Sequence, residues 1–427
     1  MKLNEFLHST SSRFLAALAY RDYRIMWYAT MSAGGAAWAL IVVRGALVYS
    51  MTESSALVGI VTFAAMGPQF IVPFFSGYLA DRFDRRRILS GAYAVNVLHN
   101  VVLASLAFTG NIEIWHLVSL SVLDGTARAT QIPTSASLVP NLVPPDKLLN
   151  AVALSSATMQ ASRLVGPAFI APLLAYFGIG WSFVVCTVLY LISFGMTLRI
   201  QTASTGMVDK TKGGIANVLA GFSYVYSHPF LLSLVLLSVL HCALTMSFES
   251  LIPVFVSNKL GIGQEGFAYV MTGVGAGALL IVTILAGIQS EHVRGRLVLW
   301  LGVISGLSPI AMAFAFNLSG AWMAAAFMGG SQAGFMTLTH VVVQTIVPDS
   351  VRGRVSSIFT FHVGGMMAIF NLVNGAVSDV IDVSIVFIVT GLAFVIVMGF
   401  SLMVSHIRLL YSIGVNRTVA PQASASS

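Results

Sequence analysis

GYLADRFDRRR, residues 77–87, carries Asp81, Asp84, Arg82, Arg85, Arg86 and Arg87 between two apolar runs at 56–77 and 88–109. Each run is about 20 residues, the length at which a helix crosses the hydrocarbon of a bilayer. The charged stretch therefore reads as a short aqueous tether joining two spanning helices. Taking Gly, Pro and charge clusters as punctuation, ten further runs follow: 25–49, 115–139, 151–175, 181–200, 229–257, 266–289, 297–316, 320–346, 355–378 and 383–407. Trp115, Trp181 and Trp322 fall at span starts, where interfacial aromatics are enriched. The pattern predicts an all-α membrane protein of twelve transmembrane helices.

Composition agrees. Only 37 of the 427 residues are Asp, Glu, Lys or Arg, against roughly a quarter in soluble domains, and mean hydropathy is +0.88. An ordinary soluble enzyme is excluded. The net charge of +7 is not a nucleic-acid footprint, which needs Lys and Arg clustered on a polar face. Topology explains it instead. With the first segment in the cytoplasm, the even-numbered connections, the termini and Arg199 collect 18 of the 22 basic residues on one side, while the opposite loops hold only Lys259. The positive-inside rule then puts both termini in the cytoplasm of a cell (plasma or inner) membrane.

The chain divides into a cytoplasmic amphipathic lead-in at 1–24, a six-helix half at 25–200, a linker with an amphipathic segment at 201–228, a second half at 229–407 and a tail at 408–427. The lead-in has too short an apolar patch for a cleaved signal. LVPPDKLLNAV at 142–152 returns as IVPDSVRGRVS at 346–356, and GYLADRFDRRR as GIQSEHVRGRL at 287–297. The nearly equal offsets indicate duplication, and two parallel six-span halves around a midplane site are a known design for secondary transporters. Cys186 and Cys242 lie inside apolar runs and read as small buried hydrophobes.

Within twelve spans, Gly77 to Arg87 resembles the signature loop between spans 2 and 3 of the major facilitator superfamily. The stretch 124–175 and the segment GFSYVYSHP before span 7 resemble the branch that includes the enterobactin exporter and the macrolide efflux pumps. The resemblance covers residues 10–410. It implies a cytoplasmic gate built from Gly77, Asp81, Arg85, Arg86 and Arg87, set against Arg354 or the start of span 11. The alternative is that these charges only fix topology. Arg163, Gly166 and Pro167 in span 5 look like the exporter motif, where Gly and Pro thin and bend the helix. The chain departs from that motif at Ala171 and Pro172. It also departs from the proton-coupled antiporter pattern of span 4, with Ser121 where an arginine is usual, and carries Asp124 and Arg128 instead, spaced i to i+4 on one helix face.

Arg44, Asp124, Arg128, Arg163 and Glu249 fall within or near the hydrocarbon, where charges are costly and face a cavity or a partner. At ~1.5 Å per residue, Asp124 lies roughly 14 Å from one face and Arg163 roughly 18 Å from the other, so they meet near the midplane. Asp124 is therefore expected beside Arg163 or Arg128. Arg44 and Glu249 both sit toward the outer ends of their spans and are expected to approach each other. These five are the substrate and proton candidates, with structural ion pairs as the alternative. By elimination, proton coupling falls on Glu249, either as carrier or, if Arg44 pairs with it, as an outer latch. His99, His241, His340 and His362 are potential relays, but without an evident carboxylate partner they read as packing residues.

The charge set sums to +1, which suits an anionic group on the substrate. No phosphate loop, no H-x-x-x-x-D and no H-E-x-x-H pattern is present, so direct ATP drive and membrane-enzyme chemistry are not indicated. The expected function is secondary export of an amphiphilic drug-like or siderophore-like molecule by alternating access. Its partners are that small molecule, the lipid bilayer and protons as a candidate coupling ion. No cofactor, metal or nucleic acid is expected, and the chain is expected to be a monomer. An importer or uniporter of the same fold, or a non-transporting receptor or scaffold, are the alternatives.

Overall fold

The computed structural model describes residues 16–73, 75, 79, 82–204, 222–288 and 290–414. Gly77 and Asp81 of the expected gate lie outside the described residues, as do parts of the lead-in, linker and tail. Among the described residues a helix covers all or part of every apolar run. In chain order these are α1 (Arg21–Thr52), α2 (Ser55–Met66), α3 (Arg85–Thr109), α4 (Ile114–Leu142), α5 (Leu148–Tyr176), α6 (Gly178–Leu198), α7 (Pro229–His241), α8 (Gln264–Ala286), α9 (Glu291–Ala313), α10 (Leu318–Ile346), α11 (Asp349–Ser378), α12 (Val383–Ser401) and the short α13 (Ser405–Ile413). Among the described residues there is no strand, and eight helices are long and apolar enough to cross a membrane. Backbone groups in lipid must bond within their own segment, which helices alone achieve without closing a barrel.

Helix starts are fixed by side chains that accept the first free amides. Asp84 accepts from the Arg86 amide at 3.0 Å ahead of α3. Asn317 accepts from Gly320 at 2.7 Å ahead of α10, and Asp382 from Ser384 at 2.7 Å ahead of α12. Prolines fall inside α4 (Pro133, Pro140), α5 (Pro167, Pro172) and α9 (Pro309).

The chain forms two compact units, one of Met1–Arg44 with Gly67–Asp209, the other of Gly45–Met66 with Lys210–Ser427. The units therefore divide within α1 and again after α2, as well as between Asp209 and Lys210. The second unit gains the end of α1 from Gly45 and all of α2 for a local reason. A Cβ added at Gly59 in α2 would come within 2.8 Å of the Asn371 carbonyl, so glycine lets α2 and α11 touch backbone to backbone. In the first unit the described end of the signature stretch, at Arg85 and Arg86, is tied down by carbonyls and a hydroxyl. Arg86 pairs with Asp84 and donates to the Ile200 and Gln201 carbonyls at 3.0 and 2.8 Å. Arg85 donates to the Ser137 carbonyl at 2.8 Å and to Ser204 Oγ at 3.3 Å. The start of the linker is thus anchored to the end of α4 and the root of α3.

Candidate functional site

The first unit buries an ion pair in the middle of its helices. Arg44, from α1, and Asp124, from α4, are each 4% exposed. The Arg44 guanidinium donates one Nη to Asp124 Oδ2 and the other to Ser121 Oγ at 2.9 Å. Asp124 Oδ1 accepts from Asn96 Nδ2 at 2.5 Å, and Asn96 Oδ1 accepts in turn from Gln131 Nε2 at 2.5 Å. His99 Nε2 stands 3.9 Å from Asp124 Oδ1. Burying an isolated carboxylate or guanidinium is prohibitive unless each is paired and its remaining sites are bonded. Here Ser121 bonds the arginine and Asn96 the carboxylate, Gln131 holds Asn96 in turn, and of the pair's own atoms Arg44 Nε alone is left without a bond among the described residues. The cluster joins α1, α3 and α4.

The residues expected near Asp124 are thereby re-sorted. Its partner is Arg44, not Arg163 or Arg128, because α1 turns Arg44 onto the α4 face that carries Ser121 and Asp124, one turn apart. Arg44, expected beside Glu249, is committed to this pair. Arg163 and Arg128 share a different partner, with guanidinium carbons 4.7 and 5.8 Å from the ring centre of Trp38, over the indole. Gly166 makes this possible. A Cβ there would lie 2.6 Å from the Gly35 carbonyl and 2.9 Å from Trp38 Cβ, so α5 meets α1 without an intervening side chain. Pro167 follows it inside α5.

In the second unit, the apolar run at 229–257 is one span in the sequence but is interrupted in the structure. After α7 the chain makes a π-helical turn at Cys242–Met246, leaves helical geometry, and resumes with a single turn at Ile252–Val254. Pro253 is the local cause. It has no amide to donate to the carbonyl four residues earlier, which belongs to Glu249, and its ring would clash there. The opened backbone is bonded by neighbours: Gln332 donates to the Thr245 carbonyl at 2.6 Å and Asn374 to the Ser247 carbonyl at 2.6 Å. Glu249 lies in the break, 1% exposed, accepting from Asn371 Nδ2 at 2.7 Å. Glu249 is thus a buried carboxylate in a discontinuous spanning segment, held by an amide of α11.

The remaining residues behave as follows. His241 packs between Phe335 and Phe394 and bonds Ser305 at 2.8 Å. His340 stacks on Phe359, and His362 sits between Tyr226 and the Ile358 carbonyl. These three fit a packing role, whereas His99 does have a carboxylate neighbour, contrary to the expectation. Arg87 is exposed and Arg354 is half-buried near the start of α11. Cys186 and Cys242 are buried free thiols. Outside the spans, the hydrogen bond from Arg86 holds the Asp84 carboxyl below its usual value, and bonds from Ser384 do the same for Asp382. Two cavities in the second unit, of about 230 Å³ beside Tyr224 and His406 and about 700 Å³ beside Lys259 and Asp382, contain none of the intramembrane charges. Sequence reading missed Trp38, Asn96, Gln131 and Asn371. The spacing of Ser121, Asp124, Arg128 and Gln131 by three, four and three residues was the available signal for a polar stripe on α4.

A helical chain of this apolarity, with ordered charges buried inside its spanning segments, is a multi-pass membrane transporter of the major facilitator type. The sequence pattern of the family described as transmembrane secretion effector matches residues 12–418, and the chain belongs to that family. The enterobactin exporter EntS of Escherichia coli O1:K1 / APEC is 23% identical over 315 residues, covering 73% of this chain and 74% of its own. The crystal structure of the nucleoside transporter NupG superposes with a TM-score of 0.73 at 12% identity, over 90% of this chain and 99% of the other. A POT family transporter in complex with a thioalcohol-conjugated peptide gives 0.72 at 11% identity, over 90% and 96%. These two structures share the fold.

Proposed function

We infer that this chain is a secondary active exporter of an amphiphilic small molecule, drug-like or siderophore-like, working by alternating access with both termini in the cytoplasm. The observation that carries the transporter reading is the buried Arg44–Asp124 pair with its ordered partners Ser121, Asn96 and Gln131. Intramembrane charges of this kind mark substrate or ion pathways. The similarity to an enterobactin exporter supports outward transport. The arginine-rich loop, with Asp81, Arg85, Arg86 and Arg87, is the proposed cytoplasmic gate region.

Proton coupling is assigned to Glu249. Arg44 is engaged by Asp124, which favours the carrier version over the outer latch. Flux in proteoliposomes, with and without an imposed pH gradient and across a panel of fluorescent drugs and catecholate compounds, tests the reading. Glu249→Gln should abolish gradient-driven flux while substrate binding and passive exchange persist. Gradient-driven flux at the wild-type rate would remove the coupling assignment.

A further inference from the structure

In the second unit the π-helical turn at Cys242–Met246 gathers soft donor atoms. Cys242 Sγ, fully buried, lies 3.6 Å from Met246 Sδ and 3.9 Å from Met336 Sδ. The i to i+4 spacing brings the first two sulfurs onto one face, and α10 supplies the third. The thiol has one proton and faces two thioethers, so a hydrogen bond serves only one of them at a time. Around a metal ion at ~2.3 Å, the sulfur distance of zinc thiolates, tetrahedrally arranged sulfurs stand about 3.8 Å apart. Both contacts fall within about 0.2 Å of that spacing.

The residue before the cysteine offers a nitrogen. His241, also fully buried, bonds Ser305 Oγ through Nε2 at 2.8 Å. Ser305 Oγ donates onward to Thr245 Oγ1 at 3.2 Å, and Thr245 Oγ1 donates to the His241 carbonyl at 2.8 Å. With both hydroxyl protons placed in this way, Nε2 carries the imidazole proton and Nδ1 keeps a bare lone pair. Nδ1 has no hydrogen-bond partner among the described residues. An orphaned buried acceptor is costly, and a bound cation removes that cost. His241 packs on Phe335 and Cys242 meets Met336, so consecutive residues of one segment face consecutive residues of α10. The turn is braced as well. Gln332, one turn before Met336, donates to the Thr245 carbonyl at 2.6 Å, and Ser247 Oγ donates to the Cys242 carbonyl at 2.7 Å. Met246 and Met336 are half-buried, and their flexible arms let an ion pass and then close on it.

Donor type selects the ion. Thiolate and thioether sulfur with imidazole suit Cu(I) and not hard cations. Charge selects in the same direction. The surroundings, including Ala243, Phe335 and Phe394, are buried and apolar; a thiolate with a monovalent ion is neutral there, whereas a divalent ion leaves a net charge in a medium that penalises it. We propose that Cys242, Met246, Met336 and His241 Nδ1 form a binding site for a soft monovalent metal ion of the Cu(I) class. On binding, the Cys242 S–H bond breaks, its proton passes to solvent and a sulfur–metal bond forms. The two thioethers and the imidazole donate lone pairs, and the ion keeps its oxidation state. Among the described residues no three His, Cys, Asp or Glu gather as a metal site; here two of the four donors are thioethers. The site stands apart from the export reading, because occupancy is measured without transport.

The test is anaerobic titration of the full chain, in nanodiscs of zwitterionic lipid, with Cu(I) held by the chelator bicinchoninate, followed by X-ray absorption of the loaded protein. The chain should withdraw Cu(I) from the chelator and show a first shell of sulfur at ~2.3 Å and nitrogen at ~2.0–2.1 Å. Loss of a partner behind a metal ligand already weakens binding roughly 10–100-fold, so Cys242→Ser should weaken it at least about a hundredfold. Met246→Leu combined with Met336→Leu keeps the packed volume and removes two lone pairs, and should weaken binding at least about tenfold. His241→Phe keeps a ring between Phe335 and Phe394 and should weaken it about tenfold. Cys186→Ser, in the other unit, should leave affinity unchanged, and excess Zn(II) should not displace the bound Cu(I). If Cys242→Ser does not fold, the volume-conserving methionine pair decides the point. Affinity unmoved by Cys242→Ser, by the methionine pair or by His241→Phe, a first shell without sulfur, or displacement by Zn(II) overturns the proposal.

Discussion

At the scale of single residues, the Arg44–Asp124 pair is the structural commitment with the largest energetic consequence. Both groups are sealed from solvent, so removing one strands the other. Breaking a buried pair costs about 3–5 kcal/mol, whereas replacing both partners by apolar groups is often close to neutral. Arg44→Leu and Asp124→Leu should each lower the melting temperature in detergent sharply, and the double variant should recover most of the loss. Additive losses in that cycle would show that the two side chains act independently. The sequence made the charged residents legible, since any Asp or Arg inside an apolar run stands out. Their pairing was not legible. Arg44, Arg128 and Arg163 are chemically equivalent partners for Asp124, and the choice depends on the rotation of α1 against α4, which hydropathy does not encode. The amides of Asn96 and Gln131 were overlooked because uncharged polar groups barely alter the hydropathy of a span.

At the scale of elements, two helix starts carry testable behaviour. Asp379, at the end of α11, caps α2: its carboxylate accepts from Ser54 Oγ and the Ser55 amide at 2.6 Å each and from the Ala56 amide at 3.2 Å. Loss of such a cap costs about 1 kcal/mol. Asp379→Ala should therefore speed hydrogen exchange across residues 54–60 by roughly fivefold, as local opening becomes easier, and unchanged protection would show that the cap is not what holds α2. At the start of α3, the lowered Asp84 carboxyl links stability to pH. A depressed folded-state value means that the stabilisation is complete above the ordinary value of 3.8 and is lost as pH falls through the lowered one. The melting-temperature gap between wild type and Asp84→Asn, which keeps an acceptor but not the charge, should be largest above pH 3.8 and shrink below it. A gap that widens in acid would reverse the assigned sign. The interruption after α7 was readable in part, because Pro253 announces it. The run reads as one span because the residues on either side of that proline, Leu251, Ile252, Val254 and Phe255, are apolar, and apolarity reports solvent, not backbone continuity.

At the scale of the whole molecule, the twelve apolar runs, the charge bias of their connections and the signature loop together make the major facilitator fold legible before any coordinate is known. The reason is physical: a bilayer imposes one length and one polarity on every crossing element. What it does not impose is which helices share a compact unit. Gly45–Met66 joins the second unit through Gly59 and Asp379, a small residue and a cap that look unremarkable in sequence. The central claim is outward transport of an amphiphilic small molecule. Its most direct test is accumulation of a fluorescent amphiphile in energised inside-out vesicles bearing the protein, compared with vesicles lacking it. The account predicts accumulation into the lumen above the empty-vesicle level, and accumulation no greater than in vesicles without the protein would contradict it.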